Sequence, residues 1–286
     1  MKRREGALVF VVLWVLGSAL DAARAQSAQT IDKQLVANIP AVAPASLIGV
    51  QVAGSQAWVA AANGTILAFD LGSGAPVSPP AIASGLEPGV LDFGVRQGAP
   101  VFLTSAGTLA GQLDRSWPVG PFEACALEVA EDGALLLLGG SSALYFQPGA
   151  TFPTKIPDLY PAIPLADGFL WAITRHPTFR TWQAELLDDL GNRMKRVCRF
   201  SNQFQPEGLR LGPPGPEGEL LVSTFGEGGR WLSLVAPNGR MLWRLPAPDP
   251  ICRRDLAWGP DGRLLVLELV DGQVCLRRWV FGNPEG

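Results

Sequence analysis

The stretch Leu256-Ala257-Trp258-Gly259-Pro260-Asp261-Gly262-Arg263-Leu264-Leu265-Val266-Leu267-Glu268-Leu269 decides the fold. It reads as a short apolar strand, a tight turn and a strand that is apolar on both faces. A second turn at Asp271-Gly272 leads into Gln273-Val274-Cys275-Leu276-Arg277-Arg278-Trp279-Val280, an amphipathic third strand. Asp-Gly between apolar runs is a strong hairpin signal, because both residues tolerate positive φ.

The same unit recurs upstream. Leu127 to Ala130, Glu131-Asp132-Gly133, Ala134 to Leu138, Gly139-Gly140 and Ala143 to Phe146 form a second clear copy. A third has Asp167-Gly168, Phe169 to Ile173 and a strand over Thr181 to Leu187. A fourth has Pro206-Glu207-Gly208-Leu209, Glu219 to Thr224, Arg230 to Val235, Asn238-Gly239 and Arg240 to Trp243. A further copy covers Ile48 to Phe69, and a weaker one Leu91 to Leu113. The apolar second strands are marked by Trp58, Phe102, Leu136, Leu170, Leu220 and Leu264, at gaps of 44, 34, 34, 50 and 44 residues. Several strands per repeat at a period of about 40–50 residues predict propeller blades. Six copies fill the chain, so the expected fold is an all-β, six-bladed β-propeller of four-stranded antiparallel blades. The last copy lacks a fourth strand, and Gln34 to Ile39 is expected to supply it and close the ring. The run Trp182 to Leu190 admits a helical turn, but a strand fits the repeat better.

Composition agrees. Of 286 residues, 48% are apolar and only 17% charged, with 33 Gly and 25 Pro for turns. The formal net charge of −3 gives no footprint for nucleic acid. Lys2, Arg3 and Arg4, the apolar run Ala7 to Leu20, and Ala23-Arg24-Ala25 read as a signal peptide over residues 1–25, cleaved before Gln26. The run is too short to span a bilayer; a retained anchor is the competing reading. Residues 26–46 read as a leader segment and 47–286 as the propeller domain, exported to a periplasmic or extracellular space. Cys125, Cys198, Cys252 and Cys275 show no metal-ligand spacing. In an oxidising compartment they allow three pairings, with buried free thiols as the alternative.

Pro206-Glu207-Gly208-Leu209 with Glu219-Leu220-Leu221-Val222-Ser223, and Asp255-Leu256-Ala257-Trp258-Gly259-Pro260-Asp261-Gly262-Arg263-Leu264, resemble the opening of NHL-repeat blades. Ala57-Trp58-Val59-Ala60-Ala61-Ala62-Asn63-Gly64-Thr65-Ile66-Leu67-Ala68-Phe69-Asp70, and Asn238-Gly239-Arg240-Met241-Leu242-Trp243, resemble quinoprotein-type repeats. The resemblance concerns the fold, and propellers host many functions. The lactonase branch of six-bladed propellers would imply a Ca²⁺-type ion at the channel mouth, held by Glu, Asn and Asp from different blades. Here Ile48-Gly49 brings no acid to the first inner strand, and no Asp-Gly-Met segment follows.

The Asp-Gly register places Asp92, Cys125, Glu207, Arg254 and Asp255 where inner strands begin, around one mouth of the central channel. Asp92, Glu207, Arg254 and Asp255 would suit a polar ligand or an ion there; the competing reading is that they pair with one another and simply satisfy the channel. Arg175, Arg180 and Trp182 form one cluster suited to a protein or glycan partner and Met194-Lys195-Arg196 another; the competing reading of both is a solvated edge strand. His176, the only histidine, falls in a turn, and no nucleophile elbow or phosphate loop is present. The expected function is binding or scaffolding, with a rigid loop face presented to a protein or saccharide of the cell envelope and no cofactor. A metal-assisted hydrolase or lactonase using Ca²⁺ is the alternative.

Overall fold

The computed structural model describes residues 31–40, 42–78, 89–111, 122–130, 132–140, 142–157, 159, 161–165, 168–175, 182–200, 209–226 and 229–281. The segment expected to be a signal peptide, residues 1–25, lies outside them. The described residues hold no α-helix, and no helix long and apolar enough to cross a membrane.

Strand β1 (Ile31–Asn38) is followed by a 3-10 turn at Pro44–Ser46. Blade 1 is β2 (Leu47–Ala53), β3 (Gln56–Ala61), β4 (Ile66–Asp70) and β5 (Pro76–Val77). Blade 2 shows β6 (Val90–Arg96), β7 (Ala99–Thr104) and β8 (Leu109–Gly111). Blade 3 is β9 (Ala126–Val129), β10 (Leu135–Leu138), β11 (Ser142–Phe146) and β12 (Thr154–Pro157). Blade 4 is β13 (Ala162–Pro164), β14 (Leu170–Arg175), β15 (Trp182–Leu187) and β16 (Arg193–Phe200). Blade 5 is β17 (Leu209–Leu211), β18 (Leu220–Gly226), β19 (Gly229–Val235) and β20 (Met241–Ala247). Blade 6 has β21 (Leu256–Trp258), β22 (Leu264–Val270) and β23 (Gln273–Phe281), with β1 as its outer strand. The chain is a six-bladed β-propeller. All six apolar marker residues fall on second strands and are buried.

Packing explains why those strands lack a polar face. Alternate residues of a strand point to opposite faces. In β10, Leu135 and Leu137 join a cluster with Val101 and Leu103 of blade 2. Leu136 and Leu138 join one with Ala162, Leu170 and Ala172 of blade 4. The other interfaces are filled in the same way, between blades 1 and 2, 4 and 5, and 5 and 6. The interface between blades 6 and 1 completes the ring, with Leu265, Leu267 and Leu276 against Val50, Val59 and Phe69.

Closure follows the expectation, although β1 begins three residues earlier than the sequence suggests. It pairs antiparallel with β23, Ile31 opposite Phe281 and Asn38 opposite Cys275. Lys33 Nζ donates to Glu268 Oε1 at 2.9 Å and lies 4.6 Å from the centre of the Trp279 ring. Trp279 Nε1 donates to the same oxygen at 2.8 Å. Residues 31–38, read from sequence as leader, are thus part of blade 6.

The turns carry a recurring device. Asn63, Asp132, Asn238 and Asp261 each accept through Oδ1 the amide two residues on. At Asp271-Gly272 both residues have positive φ, 49° and 79°, as a two-residue hairpin of matching twist requires. Antiparallel alternation puts the starts of inner strands and the turns between second and third strands on one face, here the entrance face. The turns between first and second and between third and fourth strands lie on the opposite, exit face.

Candidate functional site

The tripeptide Arg253-Arg254-Asp255 opens blade 6 at the channel mouth. Its backbone is held by blade 1: Arg254 N donates to Ile48 O at 3.1 Å and Val50 N donates to Arg254 O at 2.8 Å. Gly49 makes this approach feasible. A Cβ there would overlap Arg254 Cβ and lie 2.5 Å from Arg254 O.

From that anchor the Arg254 side chain crosses the mouth. Nε donates to Asp92 Oδ1 at 2.6 Å and Nη2 to Asp92 Oδ2 at 2.8 Å. Glu128 of the third inner strand receives Nη1 at 2.8 Å and Nη2 at 2.9 Å, and Leu127 O also accepts from Nη2. Asp92 is 0% exposed and takes two further amides, Phe93 N and Leu127 N, each at 2.9 Å. Arg253 Nη1 donates to Cys125 O at 2.5 Å and stands 4.0 Å from Asp92 Oδ2.

Asp255 turns the other way. Both its oxygens accept from Arg230 of blade 5, Oδ1 at 2.9 Å, while Arg230 Nε donates to Ser223 Oγ at 2.9 Å. Three consecutive residues therefore tie blade 6 to blades 1, 2, 3 and 5.

Electrostatics follow from burial and pairing. Burial opposes the Arg254 charge, but Asp92 and Glu128 more than offset it and hold the guanidinium well above its ordinary range. Burial pushes the Glu128 carboxyl up, against the pull of Arg254. The Asp255 carboxyl is likewise raised by burial, against Arg230. The Cys252 thiol beside this cluster is pushed up to about 12, chiefly by burial.

Of the four residues expected at the mouth, Asp92 and Arg254 meet each other, and Asp255 meets Arg230 instead. Glu207 lies outside the described residues. Glu128, Arg230 and Arg253 complete the network without having been singled out from sequence. Signals for them existed: Glu128 interrupts an apolar strand, and Arg253 doubles Arg254. A Ca²⁺ ion needs several converging oxygens. The oxygens of Asp92 and Asp255 are each spent on a different arginine, so the pair does not present a free donor set. Among the described residues no group of three or more His, Cys, Asp and Glu is arranged to hold a metal.

Cys125, Cys252 and Cys275 carry free thiols; the side chain of Cys198 lies outside the described residues. So do His176, Arg180 and the side chain of Arg175. Trp182 is partly buried at the start of β15, on the entrance face. Beside it in the ring, blade 5 carries a second Arg–aromatic set on that face. The exposed Arg210 guanidinium lies 5.3 Å from the centre of the Phe225 ring, and that of Arg244 5.0 Å from Trp231. Neither Arg210 nor Arg244 has an ion-pair partner among the described residues. Met194 and Lys195 lie exposed on β16, the outer strand of blade 4.

No family model matches the chain, and no curated protein matches it in sequence. Its fold is similar to that of a calcium-binding protein, regucalcin, from Agrobacterium tumefaciens, at 14% identity and TM-score 0.53, over 88% of this chain and 94% of that one. It is similar also to the WD40 β-propeller domain of Doa1, at 12% identity and TM-score 0.52, covering 88% and 98%. YCF48 bound to D1 peptide gives 10% identity and TM-score 0.51, covering 91% and 98%. At such identities the likeness establishes the β-propeller fold alone.

Proposed function

We propose that this chain is an exported binding propeller whose entrance face receives a protein partner bearing carboxylates. The observation that carries the reading is the exposed Arg–aromatic surface of blade 5, Arg210 with Phe225 and Arg244 with Trp231, whose arginines have no ion-pair partner among the described residues. Trp182 of blade 4 extends it along the rim. Trp and Arg are the residue types that dominate interface energetics. Unpaired guanidiniums on a rigid face select an acidic surface and speed encounter with it. The Arg254 network supports the same reading, because it pairs the charged side chains at the mouth with one another and leaves the rim to meet other molecules. A fold similar to that of YCF48, a protein seen with a bound peptide, is a suitable scaffold. Export rests on the basic, apolar and Ala-Arg-Ala succession at the N-terminus.

The test is affinity capture from the native cell envelope with the wild-type protein and with the double variant Arg210→Ala, Trp231→Ala. The same protein retained by the wild type and released by the variant supports the reading. A monomer that retains nothing from its own envelope refutes it. Retention of a saccharide that the same substitutions abolish would replace the protein partner by a glycan.

A further inference from the structure

We infer that a groove on the exit face, between blades 3 and 4, is a binding site for a primary ammonium group. It has a volume of about 400 Å³ and is lined by Asp132, Tyr145, Gln147, Phe169, Asp188 and Asp189, among others. It lies on the face opposite the Arg254 network, and the inference does not depend on what the entrance face binds.

The second, independent feature is Tyr145. Its ring packs in the core between blades 3 and 4. The residue is 1% exposed, yet its hydroxyl has no hydrogen-bond partner among the described residues. A buried hydroxyl left unpaired is costly, so such groups are normally satisfied. Asp132 and Asp189 lie close enough to act on the Tyr145 hydroxyl. Its pKa is pushed up to about 12, by burial first and then by those two charges. Tyr145 lines the groove together with both carboxylates.

The acceptors still free can be named. Asp132 Oδ1 takes Ala134 N at 2.9 Å, leaving Oδ2. Asp189 Oδ2 takes Gln147 Nε2, leaving Oδ1. Asp188 is committed to its own turn, with Leu190 N at 3.0 Å, Asn192 N at 2.7 Å and Asn192 Nδ2 at 2.9 Å. No ion pair joins Asp132, Asp188 or Asp189 to a basic side chain among the described residues. Arg96, behind the Asp132 turn, is buried and donates from Nε to Gly133 O at 3.0 Å. Among the described residues three acceptors have no donor: Asp132 Oδ2, Asp189 Oδ1 and Tyr145 Oη. An ammonium carries three donors and no acceptor. Phe169, 36% exposed at the rim, offers an aromatic surface to the alkyl stem that follows.

Two sources supply this chemistry, a lysine side chain of another protein and a free alkyl diamine. Calorimetric titration of the full protein with Nα-acetyl-lysine methylamide and with 1,4-diaminobutane separates them by which binds more tightly. The neutral Nα-acetyl-norleucine methylamide is the control. Saturable 1:1 binding of at least one ammonium probe is expected, with none for the norleucine analogue. Neutralising both acids, Asp132→Asn with Asp189→Asn, is expected to weaken binding about tenfold or more, and Tyr145→Phe to weaken it less. Should the double variant melt early, the single exposed substitution Asp132→Asn serves in its place. No saturable binding of either ammonium probe, equal binding of the norleucine analogue, or undiminished affinity in a folded Asp variant would overturn the assignment.

Discussion

Replacing Arg254 with methionine should be among the most damaging single changes available to this protein. The substitution keeps an unbranched stem that can still pass Gly49, but it removes the guanidinium. Asp92 would then be wholly buried with its charge met by two amides, Phe93 N and Leu127 N, and by the more distant Arg253 guanidinium, 4.0 Å away. Removing one member of a buried ion pair costs about 3–5 kcal/mol, because the other charge stays desolvated. Glu128 adds less to that figure, since its side chain keeps 19% exposure where that of Asp92 keeps none. In a domain of this size 1 kcal/mol moves Tm by about 2–4 °C, so a fall of roughly 6–20 °C is expected. The assay is urea unfolding followed by tryptophan fluorescence, with slopes compared to confirm that the transition is unchanged in kind. Adding Asp92→Asn removes the stranded charge, so the double variant should be more stable than the sum of the single losses implies, by about 0.5–3 kcal/mol. A loss under about 1 kcal/mol for Arg254→Met, or strict additivity with Asp92→Asn, would refute the clasp as described.

Gly49→Ala should cost about 1–3 kcal/mol in the same assay. Its Cβ would overlap Arg254, whose backbone is pinned to Ile48 and Val50 and cannot retreat; a neutral substitution would argue against that close approach. Removal of residues 31–38 should uncover the edge of β23 and turn a monomer into associating species in light scattering, because an unpaired strand recruits another chain. A stable, monomeric truncated protein would contradict closure by β1. At pH 8 the Cys252 thiol should resist alkylation while the exposed Cys125 reacts, since burial keeps Cys252 neutral up to about pH 12 and the thiolate is the nucleophile. Peptide mapping by mass spectrometry reads this out, and early labelling of Cys252 in the folded protein would count against it.

The blade pattern was legible because a second strand sandwiched between neighbours must be apolar on both faces. Trp58, Phe102, Leu136, Leu170, Leu220 and Leu264 carry that signal without help from context. Outer and short strands were harder to read. Pro76–Val77, Thr154–Pro157 and Ala162–Pro164 are brief and bear proline, so no period could form in them. The described part of the first strand of blade 5 is Leu209–Leu211, and the Pro206-Glu207-Gly208 stretch that marked its opening in the sequence lies outside the described residues. At the mouth, the turn register named Asp92, Arg254 and Asp255 as neighbours of the channel but could not assign partners. Pairing there depends on which side chain leans across the axis, and that is fixed by a contact with Gly49 some two hundred residues away. The exit-face groove left no sequence signal, because Asp132 and Asp188–Asp189 look like ordinary turn residues until blades 3 and 4 bring them together beside Tyr145.

Arg254 engages the carboxylates of Asp92 and Glu128 that an ion at the mouth would need. The most direct test of that role is metal analysis of the purified mature protein, with thermal melts in calcium and in chelator. No stoichiometric ion and superimposable melts are the predicted result, and they leave the loop faces as the working surface. A bound divalent cation at one per chain, with a large calcium-dependent rise in Tm that Asp92→Asn abolishes, would contradict the account and restore a metal-assisted hydrolase.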